Sequence, residues 1–398
     1  MAQRPLPILF VDHARELGGA ERSMLLLIEH LDREVWAPHL VCQGGALASR
    51  ASALDVEVSA IEMPRLRRSA SALTSLSSGA RRIAAEAARI DAALVHTNTV
   101  RATLYGVAGA RLARRPCVWH LRDLGLVENQ PRRPMLDQLA KRVIASGCAE
   151  VVVNSRATAA AMPGGAAVSV VHNAVPVDWW SSVDPADFRR EHGLEPAGPV
   201  VGTVGRLRRW KGQDSFLRTM AKVGAAVPNA RFLVVGGTIL EPADDYGREL
   251  RELAAELGLA DRVVFTGHLD DVRPALAAMD VFVHAGSPEP FGLVNIEAMA
   301  AGLPVVAFAH GGLPEIVESD RTGLLVPPGD EDALADAVAT LLADPARRAE
   351  MCRLAAERAL LSFSPERMAS DVAAVWTRAL ALRPPTSPPA RPPSSPPV

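Results

Sequence analysis

The 398-residue sequence has little of several features that mark particular classes of protein. Its four cysteines, Cys42, Cys117, Cys148 and Cys352, are far apart and form no CxxC pair or Cys/His cluster, which argues against a disulfide framework and against a zinc site. Aromatic residues make up only 4% of the chain and the formal net charge is −2. A stacking surface for nucleic acid is therefore not expected.

Long apolar runs are missing as well. No stretch approaches the roughly 18 consecutive apolar residues of a membrane-spanning helix. The apolar run at residues 7–11 is too short for a secretion signal. With cysteines that read as small buried hydrophobes, the sequence predicts a cytoplasmic protein.

The usual phosphate and metal motifs are incomplete. Gly202 and Gly205 form a GxxG pattern without the third glycine or acidic partner of a dinucleotide fingerprint, and no P-loop pattern occurs. Asp330-Glu331-Asp332 is formally a DxD metal motif. Because it follows Pro-Pro-Gly and opens a predicted helix, Asp330 is better interpreted as an N-cap. We therefore expect no metal site.

What the sequence does contain is an alternation of short apolar runs with longer amphipathic ones. In the first half this pattern predicts helices near residues 20–31, 77–89 and 134–145 and strands at 8–11, 39–42, 93–96, 117–120 and 150–153. The pattern restarts after a Pro- and Gly-rich connector, with strands at 200–204, 232–235, 263–266, 281–284 and 304–308. Continuous apolar strands alternating with helices indicate parallel sheets covered on both faces.

The length and an apolar fraction of 48% are sufficient for two domains. We predict an α/β protein with two Rossmann-like parallel-sheet domains, residues 1–176 and 177–364, that face each other across a ligand-binding cleft. A C-terminal helix at 365–382, with Ser364 as N-cap, is expected to pack back on the first domain. Residues 383–398, mostly Pro, Ser and Ala, are predicted to be a disordered tail.

Charge is distributed unevenly along the chain. Basic residues outnumber acidic ones in the first 180 residues, and the reverse holds for the remainder. The excess is consistent with solvated helix faces, and the alternative is a surface that meets anionic lipid or a phosphorylated acceptor. It lies in Arg65, Arg67, Arg68, Arg81, Arg82 and Arg89, and in Arg111, Arg114, Arg115, Arg132, Arg133, Lys141 and Arg142.

The stretch at residues 287–302 carries the clearest chemistry. A strand ends at His284, a tight turn follows, and a helix begins near Phe291 and Gly292, whose N-terminus offers N–H groups to a phosphate. Glu289 stands where it could accept hydrogen bonds from sugar hydroxyls, and Glu297 where it could bind a ribose diol. Taken alone, Glu289 is equally consistent with a helix-start charge and Glu297 with a buried ion pair.

Two cations precede this stretch. Arg206 and Lys211 lie five residues apart in the loop that follows the strand at 200–204. A leaving diphosphate concentrates negative charge, and this pair of cations beside a helix N-terminus would stabilise it. No Ser-His-Asp set or hydrolase-like carboxylate pair accompanies them.

Together these motifs resemble glycosyltransferase family 4, which has the GT-B fold, over about residues 7–382. The motifs that carry the resemblance are Gly18-Gly19-Ala20-Glu21, Trp119-His120-Leu121-Arg122-Asp123, Val152-Val153-Asn154-Ser155, Val171-His172-Asn173, Gly205-Arg206 with Lys211-Gly212, the Glu289/Glu297 pair, and the stretches at 304–307, 311–315 and 322–330. One departure is Asn98, which stands where a histidine is common in the family. A structural role for His96 and Asn98 is thus as consistent with the pattern as ligand contact.

The resemblance implies a role for each matching position. The first domain would bind the acceptor and the second a nucleotide-sugar donor. Arg206 and Lys211 would hold the donor diphosphate, Glu297 the ribose, and Glu289 the sugar, with His120 reaching the sugar from the first domain. The remaining implied donor-binding positions are Gly18, Gly19, Gly205, Gly267, His268, Phe291, Gly292 and Leu293.

The function implied is retaining, metal-independent transfer of a hexosyl-type sugar in polysaccharide or glycolipid assembly. No cofactor is expected; the co-substrate would be a nucleotide-diphosphate sugar, a UDP-sugar rather than a GDP-sugar. The acceptor, lipid-linked or anionic, stays open, as does peripheral contact of the first domain with the inner face of the membrane. Two alternatives are a nucleotide-sugar epimerase of the same fold and a non-catalytic nucleotide-sugar-binding partner.

Overall fold

A computed structural model describes residues 4–66, 70–126, 133–176, 180, 183–195, 198–237 and 245–382. The predicted tail at 383–398 lies outside these residues. So do three members of the basic set, Arg67, Arg68 and Arg132, and part of the connector. Statements about the fold refer to the described residues.

The first half of the chain forms a seven-stranded sheet in the order β3-β2-β1-β4-β5-β6-β7, in which neighbouring strands are parallel. The central strands are buried on both faces because helices cover each side of the sheet. The strands are β1 Leu6–Val11, β2 Trp36–Cys42, β3 Glu57–Ala60, β4 Leu94–Thr97, β5 Cys117–Leu121, β6 Glu150–Val153 and β7 Val168–Val170. The helices are α1 Gly19–Glu29, α2 Gly45–Ser52, α3 Ala70–Arg89, α4 Val100–Leu112, α5 Pro134–Ala145 and α6 Arg156–Ala160.

The second half forms a six-stranded parallel sheet in the order β10-β9-β8-β11-β12-β13. The strands are β8 Val200–Val204, β9 Arg231–Val235, β10 Val263–Gly267, β11 Val281–His284, β12 Val305–Phe308 and β13 Gly323–Val326. The helices are α7 Ala186–Glu191, α8 Gln213–Ala226, α9 Tyr246–Glu256, α10 Arg273–Ala277, α11 Leu293–Ala300, α12 Leu313–Ile316, α13 Glu331–Ala343, α14 Pro345–Ser362 and α15 Pro365–Ala381. A single 3-10 turn, Arg209–Lys211, precedes α8.

The prediction of two parallel-sheet units is confirmed, and each of the ten predicted strands is present within three residues of its expected bounds. Three strands, β3, β7 and β13, escaped prediction. The first two are short and only partly buried, so their sequences lack a continuous apolar run. Asp330 caps α13 through its Oδ1, which accepts a hydrogen bond from the Ala333 N–H at 2.9 Å, as expected.

The last helix, α15, packs against α1 and against strands of the first sheet. Its anchor is Trp376, which is completely buried and makes edge-on contacts with Phe10, Trp36 and His96. The Trp376 Nε1–H donates to His96 Nδ1 at 3.0 Å. His96 therefore has a structural partner from the far end of the chain.

None of the helices in the described ranges combines the length and the apolarity that crossing a bilayer requires.

Removing the anchor of α15 should destabilise the protein. We expect Trp376→Ala to lower the free energy of unfolding by about 3–5 kcal/mol, because a large core side chain is replaced by a cavity. Trp376→Phe keeps most of the contact area but leaves His96 Nδ1 without its donor, and should cost less, about 1–3 kcal/mol. Urea unfolding measures both. A loss below 1 kcal/mol for Trp376→Ala would contradict this packing.

Candidate active site

The loops that follow the strands of the second sheet meet along one edge, because the carboxyl ends of parallel strands lie together. Strand order places the loop after β8 between the loops that follow β9 and β11. This edge therefore carries, side by side, Gly267 and His268 after β10, Gly236 and Gly237 after β9, residues 205–212 after β8, residues 285–292 after β11 and residues 309–312 after β12.

The loop after β8 presents the two predicted cations. Its start is fixed by the Gly205 N–H, which donates to the Val235 carbonyl at 2.9 Å, and by Gln213, whose Nε2 donates to the Arg206 carbonyl at 3.1 Å. Arg206 is exposed, whereas Lys211 is largely buried. The turn into α8 requires glycine at 212, since φ is 72° and a Cβ would stand 2.1 Å from the Ala285 carbonyl oxygen.

Glu289, in the loop after β11, is buried and paired. Its Oε1 accepts a hydrogen bond from Lys211 Nζ, and His284 Nε2 lies 3.6 Å from the same oxygen. Burial raises the pKa of Glu289, but the charge of Lys211 and the hydrogen bond from its Nζ outweigh that effect, and the pKa is lowered overall. Burial lowers the pKa of His284 to about 4, so its ring is neutral at pH 7. The site thus holds an ionised carboxylate.

Helix α11 begins at this loop. Gly292 occupies the N-cap with φ 102° and makes no side-chain cap, which leaves the helix N-terminus with backbone donors only. Glu297, one turn further, is half-buried. Burial raises its pKa, and the charges of Arg22 and Lys211 oppose that rise. Ile296 and Met299 point into the core as expected.

Leu293 is only partly buried, because it faces the first domain. A Cβ added to Gly19 would lie 3.5 Å from Leu293 Cδ1, so the N-termini of α1 and α11 approach each other across the gap. Gly18 stands at the N-cap of α1, and its N–H donates to Glu21 Oε2 at 2.8 Å. The two predicted glycines therefore lie opposite the predicted donor helix.

Gly267 and His268 lie at the far end of the same sheet edge. Gly267 has φ 73°, and its carbonyl accepts from the Gly236 N–H at 2.9 Å. His268 is exposed, with Nε2 3.4 Å from Asp270 Oδ1. The β9 and β8 loops separate this pair from Glu289.

The carboxyl edge of the first sheet holds a buried polar network centred on Arg122. Its guanidinium donates to Asn98 Oδ1 at 2.8 Å, to Ser23 Oγ at 2.7 Å and to Asn173 Oδ1. Asn98 Nδ2 in turn donates to Asp12 Oδ2 at 2.7 Å. Burial and the charge of Glu21 raise the pKa of Asp12 to about 7.

His120 belongs to this buried region. Its side chain is fully buried, its ring lies edge-on to His96 with centroids 5.4 Å apart, and its Nδ1 is 3.3 Å from an Arg122 nitrogen. Its Nε2 is buried and has no hydrogen-bond partner within the described ranges. Burial lowers the pKa of His120 well below its usual value. Contact between His120 and a donor sugar, which stays a prediction, would require neighbouring side chains to move.

The loop that carries Glu289 is also tied to the first domain. Ser155 Oγ donates to the Pro290 carbonyl, and the Phe291 ring stacks on His172 at a centroid distance of 5.5 Å. Glu315 accepts from the N–H groups of Arg156 at 2.9 Å and Ala157 at 3.2 Å, and lies 3.0 Å from His172 Nε2. The Phe291 side chain is thus a domain contact, and a role of Phe291 in donor binding stays a prediction.

Comparison with known families decides the identity of this arrangement. Residues 17–179 match the family described as Glycosyltransferase Family 4, and residues 198–344 match the family described as Glycosyl transferases group 1. The two matches together cover well over half of the chain.

The chain belongs to the family 4 glycosyltransferases.

Relatives of this glycosyltransferase support the assignment. A D-inositol 3-phosphate glycosyltransferase of Mycobacteroides abscessus is 34% identical over 263 residues, which are 64% of this chain and 58% of the relative. A GDP-mannose-dependent alpha-(1-6)-phosphatidylinositol monomannoside mannosyltransferase of Mycolicibacterium smegmatis is 41% identical over 175 residues, 42% of this chain and 44% of the relative. The chain spans about half the length of the curated relatives it matches.

The structure of HepE from Anabaena in complex with UDP and glucose resembles nearly the full length of this chain. Its TM-score is 0.78 and its sequence is 28% identical, with 93% of this chain and 99% of that chain covered. The predicted GT-B fold is confirmed by this likeness and by the two parallel sheets.

Several residues at the site were not predicted. His284 and His310 lie near Glu289, and burial lowers the pKa of both, which favours their neutral rings. Arg122, Asp12 and Asn98 form a network whose members are far apart in sequence, so no local spacing signals it. Their one common sequence signal is position, since each directly follows a buried strand. Among the residues that the structure describes, no group of three or more His, Cys, Asp or Glu is arranged to hold a metal ion.

The raised pKa of Asp12 gives a prediction for stability. Between its ordinary value of 3.8 and about 7, the folded protein retains a proton that the unfolded chain has released. The contribution of Asp12 to the free energy of unfolding should therefore fall as pH rises through this window. We expect wild type to lose stability relative to Asp12→Asn between pH 4.5 and 7.5, as measured by urea unfolding at each pH. A difference that stays constant or moves the other way would show that Asp12 is not held in this state.

Proposed function

We propose that this chain transfers a hexosyl-type sugar, with retention of configuration and without a metal, from a nucleoside-diphosphate sugar to an acceptor in polysaccharide or glycolipid assembly. The observation that carries the proposal is the sheet edge on which Lys211, Glu289 and the N-terminus of α11 converge. A cation, a sugar-binding carboxylate and free backbone donors are what a glycosyl diphosphate needs. Similarity to glycosyltransferases supports the same reaction.

We assign the donor along this edge in three parts. The base would lie toward Gly267 and His268, the diphosphate between Arg206, Lys211 and the backbone near Gly18, Gly19 and Gly205, and the sugar at Glu289 and the backbone of Phe291, Gly292 and Leu293. Glu297 would bind the ribose. The strand order supports this sequence of subsites, because the loops follow one another in that order along the sheet.

We propose a UDP-sugar rather than a GDP-sugar as donor. HepE, which resembles the chain over nearly its full length, has been solved with UDP and with UDP-glucose. The mycobacterial relative that is named for GDP-mannose aligns over less than half of this chain. The similarity to HepE, which covers more of the chain, therefore supports a UDP-sugar.

The reaction is tested by incubating the protein with UDP-glucose, UDP-galactose, UDP-N-acetylglucosamine and GDP-mannose, without metal. A family 4 transferase should release the nucleoside diphosphate, fastest when an acceptor is present. NMR should show that the sugar product keeps the donor's anomeric configuration. Formation of an epimeric nucleotide sugar would assign the chain to the isomerases instead. No turnover of any donor, with tight nucleotide binding, would indicate a non-catalytic protein.

Lys211 should be essential for turnover. We expect Lys211→Ala to lower kcat by about 10²–10³-fold, because it removes a charge that stabilises the leaving diphosphate. Lys222→Ala is the matched control, since Lys222 lies on α8 and pairs at 2.6 Å with the exposed Asp332. Turnover assays with saturating donor measure both.

A second variant separates catalysis from folding. Lys211→Ala leaves the buried Glu289 carboxylate without its partner, which is destabilising in itself. In Lys211→Ala/Glu289→Gln that carboxylate is neutral, so stability should return toward wild type while turnover stays low. Recovery of turnover together with stability would remove Lys211 from the reaction.

We also propose that the first domain docks peripherally on the inner, anionic face of the membrane, through α5. Four large apolar side chains of this helix are exposed: Met135 by 86%, Leu136 by 53%, Leu139 by 58% and Val143 by 64%. Exposed Arg133 and Arg142 flank them. Asp137, the acid of α5, is buried against Lys141 at 2.8 Å, so this lysine of the basic set is not part of the surface.

Vesicle binding tests the role of α5. The wild type should sediment with vesicles containing phosphatidylglycerol, less so at high salt, because apolar insertion and cation–lipid attraction act together. Met135→Gln/Leu139→Gln/Val143→Gln should weaken this binding at least tenfold. The matched control is Leu360→Gln/Leu361→Gln, which alters two exposed leucines of α14. Equal binding by both variants would rule out α5 as the docking face.

A further inference from the structure

Two arginines lie with His13 and Thr99 at the carboxyl edge of the first sheet. Strand β1 sits between β2 and β4, so the chain connections run in opposite directions on its two sides. Such a switch point opens a crevice at the strand ends, where α/β proteins bind ligands. His13 follows β1, and Thr99 and Arg101 follow β4, which places them at this crevice.

Hydrogen bonds hold the lining of the crevice together. His13 Nδ1 and Thr99 Oγ1 are 2.6 Å apart. Gln43 joins the end of β1 to the segment after β3, because its Nε2 donates to the His13 carbonyl and its Oε1 accepts from the Met63 N–H at 3.2 Å. The segment that leads to Arg65 is thereby fixed beside His13.

A further bond places Arg65 beside Arg101. Tyr105 lies one helical turn after Arg101 on α4, and its hydroxyl donates to the carbonyl of Pro64 at 2.8 Å. Arg65, the next residue, is therefore held near the first turn of α4. Arg65 is exposed and Arg101 half-buried. Burial lowers the pKa of Arg101 and the nearby charge of Arg65 lowers it further, which agrees with this placement.

The two guanidinium groups lack a counter-charge. Within the described ranges neither forms a salt bridge or a side-chain hydrogen bond. Two acids close to these arginines in sequence or at the same sheet edge are engaged elsewhere: Glu62 pairs with Arg15 at 2.8 Å, and Asp12 accepts from Asn98 at 2.7 Å. Two cations that share a partly buried crevice repel each other unless an anion joins them.

The N-terminus of α4 adds to the positive field. Thr99 occupies the N-cap position but makes no side-chain cap bond with the helix, as its hydroxyl is engaged by His13. This 13-residue helix therefore directs backbone N–H groups and the positive end of its dipole into the crevice. Arginines beside such a terminus are suited to a phosphate group, which both can contact through paired N–H donors.

We infer that Arg65, Arg101 and His13, with the N-terminus of α4, bind a phosphate group of the acceptor. The identification of the ligand as the acceptor rests on the proposed function, whereas the anion site itself does not. This crevice lies on the edge of the first sheet that also carries Gly19, which faces Leu293 of the donor helix. A phosphate held there would leave the rest of the acceptor free to extend toward the donor sugar.

The test is a calorimetric titration of the full chain with inorganic phosphate, in the presence of saturating UDP to occupy the donor diphosphate site. We expect saturable phosphate binding by wild type and at least tenfold weaker binding by Arg65→Gln/Arg101→Gln. The control is Arg50→Gln/Arg81→Gln, which changes two exposed arginines elsewhere in the first domain and should bind as wild type does. All three proteins should bind UDP equally and melt at similar temperatures.

Two further ligands identify the source of the phosphate. Tighter binding of glucose 6-phosphate than of inorganic phosphate would indicate a soluble sugar phosphate, and tighter binding of dioctanoyl phosphatidylglycerol a lipid headgroup. Equal phosphate binding by Arg65→Gln/Arg101→Gln and wild type, or none by wild type, would overturn the inference. Failure of the proposed function is distinct, since it would appear as a lack of UDP binding. In that case the phosphate titration is done without UDP on Lys211→Ala, in which the cation of the donor site is removed. The same titration on Lys211→Ala with Arg65→Gln/Arg101→Gln then tests the anion site alone.

Discussion

The contact between Lys211 and Glu289 joins two loops that leave neighbouring strands, and the rest of the donor site depends on it. A buried carboxylate is costly unless a cation and hydrogen bonds accompany it. The lysine can reach Glu289 only because the backbones of the two loops touch. Glycine permits this approach at 212, where a Cβ would lie 2.1 Å from the Ala285 carbonyl oxygen. In the loop after β12, Gly311 likewise packs against Glu289, since a Cβ there would lie 2.4 Å from the Glu289 carbonyl oxygen. These loops therefore present charge on a rigid support before any ligand arrives.

The same pair suggests how the site responds to a diphosphate. Lys211 is the partner of Glu289 and also the cation that we assign to the leaving group, so a bound donor would compete with Glu289 for it. Glu289 would then have hydrogen-bonding capacity to turn toward the sugar. The domain contacts at Pro290 and Phe291 connect this loop to the first domain. The loop that carries Glu289 is thus also part of the contact between the two domains.

Much of this fold could be predicted from the sequence, because buried parallel strands produce continuous apolar runs that need no tertiary information. The proximity of Lys211 and Glu289 could be predicted too, since each lies in a loop that follows a predicted strand. What escaped depends on long-range packing. Arg122 bonds to residues that lie 24 to 99 positions away in the chain, and the Phe291 ring turns to His172. Lys141 is buried where its Nζ donates to the carbonyls of Leu124 and Ala161. Residue type and spacing do not reveal which way a side chain points.

The polar side chains at the carboxyl edge of the first sheet could be predicted less well than the donor site. His120 is enclosed beside Arg122, whereas Arg65 and Arg101 near the α4 terminus form no salt bridge within the described part of the chain. The polar edge of this domain would therefore separate two tasks, a rigid buried network that supports the cleft and a basic crevice that receives an anion.

The carboxyl edge of the second sheet should bind a nucleoside diphosphate, and thermal unfolding with nucleotides tests this binding most directly. The purified protein would be melted with UDP, GDP, ADP and TDP and with their common sugar conjugates, without added metal. We expect clear stabilisation by UDP and UDP-sugars, because a ligand that binds only the folded state raises the melting temperature. An unchanged melting temperature with every nucleotide, with or without magnesium, would contradict it.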